Sequence, residues 1–407
     1  MRVIVTGVTR TGNLGGTAML CAVEQVLGPH SEDFALCSIL PRRDSAQVGP
    51  DHARIVDADY RYWMLVAAPL CLLFWPLRKV SFIRKLLSAM PLLADIAKAD
   101  VIADLSGIAF VDGRGFPLLC YNVAIVLPGL FFDVPIYKLS QAMGPFEQKL
   151  NASLARWVFN RCRAVVARGA VSLSHLHALG IAKGIHRPDT SFALDIPNAT
   201  RERARAQLAA KVEGEANHPL IICSPSAVVQ ERCADAGIDM AAVFSATFSQ
   251  LAATGIRVAL LPHSTDTGIR KNDDHEVARR IVAEGEKRGD KFVLLDPEGD
   301  PRLARALIGE ADAFVATRFH SMIAALSQSV PTATVGWSHK YAEAAAPFGM
   351  GRFTVDYADL TMDRLVEMVT TLLRDKSSLR DSMLPVAETT RRSAIDGITL
   401  ALAGRGS

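Results

Sequence analysis

Several short stretches combine residue types able to hold an anion and move a proton. Thr317-Arg318-Phe319-His320-Ser321 places a guanidinium, an imidazole and a hydroxyl between an apolar run, Ala313 to Ala316, and a helical pattern from Met322 to Leu326. Arginine presents a planar fork of donors that matches a carboxylate or phosphate. Histidine exchanges a proton near neutral pH, and a helix start at the same place favours negative charge. The competing reading gives Arg318 a structural ion pair and His320 an ordinary hydrogen bond. Leu260-Leu261-Pro262-His263-Ser264 is a second strand end with polar residues just past it, followed by Asp273 and Asp274. His263 could line the same cleft, and the plainer reading there is a capped loop.

Gly12-Asn13-Leu14-Gly15-Gly16-Thr17 follows the first apolar run and opens a helical pattern. Glycines there let backbone approach a ligand, and the N–H groups of a helix start attract anions. The pattern is neither a dinucleotide fingerprint nor a P-loop, because Asn13-Leu14 stands where Lys-Ser/Thr is needed. An ordinary strand-to-helix turn explains it equally well. Gly144-Pro145-Phe146 could form a tight floor under a ligand. Arg168, just past a strand end, could aim a second cation into the cleft or pair with a surface carboxylate. No Gly-x-Ser-x-Gly elbow, His-Glu-x-x-His motif or Asp-x-Asp pair occurs, and no metal ligands are assigned.

These residues need a scaffold, and the chain supplies alternating apolar runs and helical stretches. Val3 to Thr6, Val101 to Leu105, Pro135 to Leu139 and Ala164 to Ala167 read as strands in the first half. Leu220 to Cys223, Arg257 to Leu261, Phe292 to Leu295, Ala313 to Ala316 and Thr332 to Val335 do so in the second. Helical stretches lie between them, so each half is expected to be a parallel α/β sheet, doubly wound by right-handed crossovers. A length of 407 residues suits two domains. A composition shift from Asn198 to His218 divides them into 1–197, a linker over 198–218, and 219–407 with a helical tail.

Formal charge is only +3, from 45 basic and 42 acidic residues, which offers no global field for nucleic acid. The seven cysteines are scattered without a Cys-x-x-Cys pair, against both a disulfide scaffold and a structural zinc site. Met1-Arg2-Val3-Ile4-Val5 resembles a first strand rather than a leader, and a cytoplasmic location is expected. Trp63 to Pro76 is an apolar run followed by Arg78, Lys79, Arg84 and Lys85. It falls short of the roughly 20 residues a spanning helix needs. A buried or capping helix is the first reading. Peripheral contact of 63–85 with the inner face of a membrane is the second.

Ala311 to Gly349 resembles the C-terminal signature of the polysaccharide pyruvyl transferase family. The resemblance rests on Arg318, His320, Ser321, Val330-Pro331, Lys340 and Tyr341. Gly12-Asn13-Leu14-Gly15, Gly144-Pro145-Phe146, Arg168 with Ser172 to Gly180, and Asp189 to Leu194 follow the family's order as well. The chain departs from it at Gly16 and Gly169, where an acidic residue is usual, and at the shortened Ser106-Gly107-Ile108. The resemblance implies two Rossmann-like domains facing a cleft, in a glycosyltransferase-B-like arrangement. It also implies transfer of pyruvate from phosphoenolpyruvate to two sugar hydroxyls as a ketal, with release of phosphate and no cofactor.

On that basis His320 and Arg318 are the expected catalytic pair. Arg318, Ser321, Arg168, His263 and Lys340 are expected on the donor, and Asn13, Gly15 and Gly144 in backbone loops on the acceptor side. The acceptor is expected to be a saccharide or a lipid-linked glycan. Two other functions fit the same architecture: a sugar-nucleotide-dependent glycosyltransferase, and a catalytically silent binding protein, which the Gly16 and Gly169 departures motivate.

Overall fold

The computed structural model describes residues 1–46, 51–214, 217–264 and 273–403. Among them the chain forms two compact units. One comprises Met1–Thr11, Met19–Ala193 and Ser393–Ser407, and the other Gly12–Ala18 and Leu194–Arg392.

The first unit is built on a parallel sheet. Its strands are β1 (Arg2–Thr6), β2 (Asp33–Ser38), β3 (Arg54–Asp57), β4 (Val101–Asp104), β5 (Ile108–Ala109), β6 (Ile136–Met143), β7 (Ala164–Arg168) and β8 (Gly184–Arg187). They run in the order β3-β2-β1-β4-β6-β7-β8, with the short β5 paired to β6. The second unit holds β9 (Leu220–Ser224), β10 (Arg257–Leu260), β11 (Val293–Leu294), β12 (Ala313–Ala316), β13 (Thr332–Gly336) and β14 (Thr354–Asp356), in the order β11-β10-β9-β12-β13-β14. All pairings in both sheets are parallel, as the alternation of runs and helices predicts.

Central strands are covered on both faces, which is why they read as unbroken apolar runs rather than alternating ones. Every residue of β9, β12 and β13 is buried. The edge strands β3 and β14 keep exposed positions.

Asn198–Lys211, assigned above to a linker, is a helix of the second unit packed on the helix Pro301–Gly309. Its apolar residues are few, and Ala204 and Leu208 carry its buried face. Residues 215 and 216 of that span lie outside the described residues. Trp63 to Pro76 divides between core and surface. Trp63, Ala67, Ala68 and Cys71 are buried, while Leu65, Leu72 and Leu73 are exposed. Among the described residues, no helix is long and apolar enough to cross a membrane.

In each sheet the order of strands reverses direction once, between β1 and β4 in the first and between β9 and β12 in the second. Crevices at the carboxyl ends of such strand pairs are where open α/β sheets bind ligands.

Candidate active site

The second unit's crevice is organised by Thr317 and Arg318, immediately after β12. The Thr317 amide and hydroxyl both donate to the Ser224 carbonyl at the end of β9, at 3.2 and 3.0 Å. This fixes the chain as it leaves the sheet and sets Arg318 at the N-cap of the helix Phe319–Leu326. The Arg318 guanidinium grips Asp274 bidentately: Nη2 donates to Oδ1 at 2.6 Å and Nε to Oδ2 at 2.9 Å. Asp274 is fully buried and also accepts the Ala227 and Ser264 amides, at 2.9 and 2.8 Å. Burial raises its carboxyl above the ordinary aspartate value, while Arg318 and the two amides pull the other way. The arginine side chain stays 18% exposed. The structural ion pair, one of the two readings of the sequence, is therefore present, in a side chain that keeps some exposure. Sequence reasoning noted Asp274 only as following His263 and did not pair it with Arg318, because 44 positions separate the two and only the fold joins them.

His320 takes its place from an unexpected direction. The loop Gly12–Gly15, expected with Gly144 on the acceptor side in the N-terminal domain, groups with the second unit. Asn13 forms an isolated antiparallel bridge with Ser264, the Leu14 amide donates to the His263 carbonyl at 3.2 Å, and the Ser264 hydroxyl donates to the Gly12 carbonyl at 3.2 Å. The Asn13 side chain accepts the Gly15 amide at 2.9 Å, closing a local turn at the helix start. That turn lays Gly15 on the His320 imidazole so closely that a methyl group there would overlap the ring, 2.7 Å from the His320 Cβ. The ring also meets Phe319 edge-on, with centroids 5.4 Å apart. Gly15 is thus a steric requirement of His320, whatever else its backbone does.

Lys340 completes the group. Its Nζ lies over three rings, 4.7 Å from the Trp337 centroid, 5.3 Å from Phe319 and 5.5 Å from Tyr341. Cation–π contacts of this kind hold an ammonium in place without neutralising it. Tyr341 donates to the Thr317 carbonyl at 3.4 Å, and burial pushes its hydroxyl up to about 12, so it stays protonated.

His263 is buried, three residues past the end of β10. Desolvation, then the neighbouring His320, Arg318 and Arg305, bring its imidazole down to about 3, so the ring is neutral at physiological pH. Its Nδ1 and the Ser224 hydroxyl are buried polar atoms without a hydrogen-bond partner among the described residues. Such atoms are costly in a finished core and are commonly satisfied by water or a bound molecule.

The remaining expected residues divide as follows. Ser321 does not present its hydroxyl to a ligand: it is fully buried and donates to the Arg318 carbonyl at 2.9 Å. It serves the helix start instead. Arg168 and Gly144 belong to the first unit. Arg168 is buried at the end of β7, donating to Asp189 at 2.5 Å and to the Gly107 carbonyl at 2.7 Å. Gly144 has φ +79° and packs on His175, where a Cβ would come within 2.6 Å of Nδ1. The first unit's own crevice carries a fully buried ion pair between Lys138 and Asp104. Asp104 also accepts the Ser106 amide at 2.9 Å. The pairing gave no sequence signal, since Lys138 and Asp104 lie on different strands, 34 positions apart.

The family model for polysaccharide pyruvyl transferase matches residues 13–339, a span that takes in every site residue named above except Gly12, Lys340 and Tyr341. The chain belongs to the polysaccharide pyruvyl transferase family. A similar protein is the amylovoran biosynthesis protein AmsJ of Erwinia amylovora, 25% identical over 301 residues, covering 72% of this chain and 70% of that protein. Among solved structures, the UDP-GlcNAc 2-epimerase of Neisseria meningitidis bound to UDP-GlcNAc aligns with a TM-score of 0.60 at 11% identity, over 99% of both chains. The N-terminal domain of trehalose-6-phosphate phosphatase from Candida albicans aligns at 0.55 and 11%, over 99% of this chain and 97% of that one. These structural likenesses carry the fold, which is glycosyltransferase-B-like with two parallel α/β sheets. As a member of the polysaccharide pyruvyl transferase family, the chain is a polysaccharide-modifying transferase.

Proposed function

We propose that the chain transfers pyruvate from phosphoenolpyruvate to two hydroxyls of a saccharide, forming a ketal and releasing phosphate. The observation that carries this reading is the gathering of Arg318, His320 and Lys340 around Phe319, with Gly15 closed over the imidazole. Phosphoenolpyruvate bears a carboxylate and a phosphate, and two fixed cations beside a helix N-terminus suit such a polyanion. Asp274 takes one edge of the Arg318 fork and sets its plane before any donor arrives, which lowers the entropy cost of binding.

The chemistry requires a proton on the methylene carbon of the enol. The adjacent carbon then becomes electrophilic and takes the oxygen of one sugar hydroxyl, whose proton is lost. Cleavage of the carbon–oxygen bond to phosphate lets the second hydroxyl close the ketal, and its proton leaves with inorganic phosphate or solvent. His320 is assigned the proton transfer, a role worth roughly 10²–10⁴-fold. Burial and the neighbouring cations hold the His263 ring neutral, and it is assigned a positioning role beside His320. The acceptor, a saccharide or lipid-linked glycan, is assigned to the first unit, where Gly144 and Arg168 shape the ends of β6 and β7.

The test is a thermal-shift screen followed by turnover. Phosphoenolpyruvate should raise the melting temperature and nucleotide sugars should not. Phosphate release should depend on a glycan that gains one pyruvyl ketal by mass. Full turnover by His320→Ala, or stabilisation by a nucleotide sugar in place of phosphoenolpyruvate, would overturn the assignment.

A further inference from the structure

The first unit carries a surface that the transfer chemistry does not use. Between Asp59 and Asp95 there is no acidic residue, while Arg61, Arg78, Lys79, Arg84 and Lys85 all fall in that interval. Its consecutive helices expose large apolar side chains. Leu65, Leu72 and Leu73 are exposed at helical spacing, the last by 71%, and Phe82 and Leu86 follow one turn apart, with Phe82 70% exposed. Apolar side chains this exposed and this close in sequence mark a surface made to be covered.

Beside them lies a pocket of about 570 Å³ lined by Trp75, Arg78, Asp133, Arg161, Arg163 and Lys183. Trp75 and Trp157 form a tilted pair 5.5 Å apart. Arg78 stacks over the first at 4.7 Å and Arg161 over the second at 4.6 Å. The single acid of the lining, Asp133, is already matched by Lys79 at 3.0 Å and Arg84 at 2.8 Å. The pocket is therefore cationic overall, with the Trp75 indole in its wall, and borders an apolar face.

Exposed leucines and phenylalanine, tryptophans at the boundary and cations behind them are the layering of a membrane-surface helix. The continuous helical run Tyr60–Leu73 is about 20 Å long, too short to cross the ~30 Å hydrocarbon core, so it lies on a bilayer rather than through it. Charge complementarity selects the lipid: a basic face with its one acid neutralised is drawn to an anionic leaflet. We infer that the first unit docks on an anionic phospholipid bilayer, with Leu65, Leu72, Leu73, Phe82 and Leu86 entering the interface and the Trp75 pocket receiving a lipid phosphate headgroup.

Vesicle flotation tests this with the full chain, without reference to the transferred group. Binding is expected to phosphatidylcholine vesicles doped with phosphatidylglycerol, to weaken with added salt, and to be much weaker on pure phosphatidylcholine. Leu73→Ser/Phe82→Ser should lower partitioning at least about tenfold. Arg161→Ala/Arg163→Ala should do so on the anionic vesicles by roughly tenfold or more. All four positions are exposed, so both variants should melt like the parent chain. Inorganic phosphate should compete no better than chloride of equal ionic strength.

Absence of binding to the doped vesicles, or binding that both double variants retain, would overturn the inference. So would competition specific to inorganic phosphate, which makes the pocket a site for a soluble anion. A dimer in sedimentation equilibrium that Leu73→Ser/Phe82→Ser dissolves, with no vesicle binding, would assign the face to a second copy instead.

Discussion

Gly15→Ala is the smallest change that reaches the proposed centre. In an ordinary helix, alanine in place of glycine stabilises by roughly 0.5–1 kcal/mol. Here the added methyl would stand 2.7 Å from the His320 Cβ and overlap the ring itself, where carbon contacts need at least about 3.5 Å. The neighbour that must give is the base of the side chain, not a flexible tip, so a rotamer change alone does not relieve the overlap. Either His320 or the Asn13–Gly15 turn shifts by about 1 Å. Overpacking of that kind costs roughly 1–3 kcal/mol, which exceeds the gain in helix propensity. The variant should be less stable than the parent by about 1–2 kcal/mol in urea unfolding. A displacement near 1 Å at a reacting group is worth on the order of 10² in rate. Phosphate release from phosphoenolpyruvate at saturating glycan should fall accordingly in kcat, with a smaller change in donor KM. A Gly15→Ala protein as stable as the parent and fully active would refute the close packing of this loop on His320 and the role given to the imidazole.

Asp274→Asn keeps the shape of the side chain but removes the charge that orients Arg318, and should cost about 3 kcal/mol in unfolding free energy, as breaking a buried pair does. Its surviving folded fraction should show a raised donor KM. His263 has a folded-state value of about 3 against 6.5 unfolded, so the unfolded chain binds the extra proton between those values and stability falls as pH drops through that window. By pH 5 the loss from this residue should be on the order of 2 kcal/mol, and His263→Gln should flatten the melting-temperature profile between pH 7 and 5. Of the seven cysteines, Cys120 alone is half-buried and the other six are buried, among them Cys71, Cys162 and Cys233, whose thiols burial raises to about 11–12. Native alkylation should therefore label Cys120 first, and complete labelling should require denaturant; rapid native labelling of Cys223 would contradict its burial.

The central strands were legible in the sequence because a strand buried on both faces must be apolar throughout. Leu220 to Cys223 and Ala313 to Ala316 needed no other clue. The strands β2, β3, β5, β8 and β14 were not: β2 opens on Asp33 and closes on Ser38, and partly exposed sequences such as Arg54–Asp57 and Gly184–Arg187 carry no unbroken apolar run. Arg318, His320 and His263 were legible as polar residues placed just past strand ends. What the sequence withheld was partnership. The pairing of Arg318 with Asp274, the seating of Gly15 on His320 and the Lys138–Asp104 pair each join residues from different elements, and no local pattern encodes such a meeting. Ser321 shows the opposite failure: a hydroxyl beside a reactive-looking pair was spent on its own helix start.

The stretch Gly12–Ala18 lies near the start of the polypeptide yet folds with Leu194–Arg392. A C-terminal fragment beginning at Leu194 would therefore lack a strand bridge for Ser264 and the backbone that closes over His320. Neither half is a transplantable module: a gene split after Ala193 would encode two incomplete products, and a chimaera that grafts only the later portion onto a foreign partner must carry the early segment along with it.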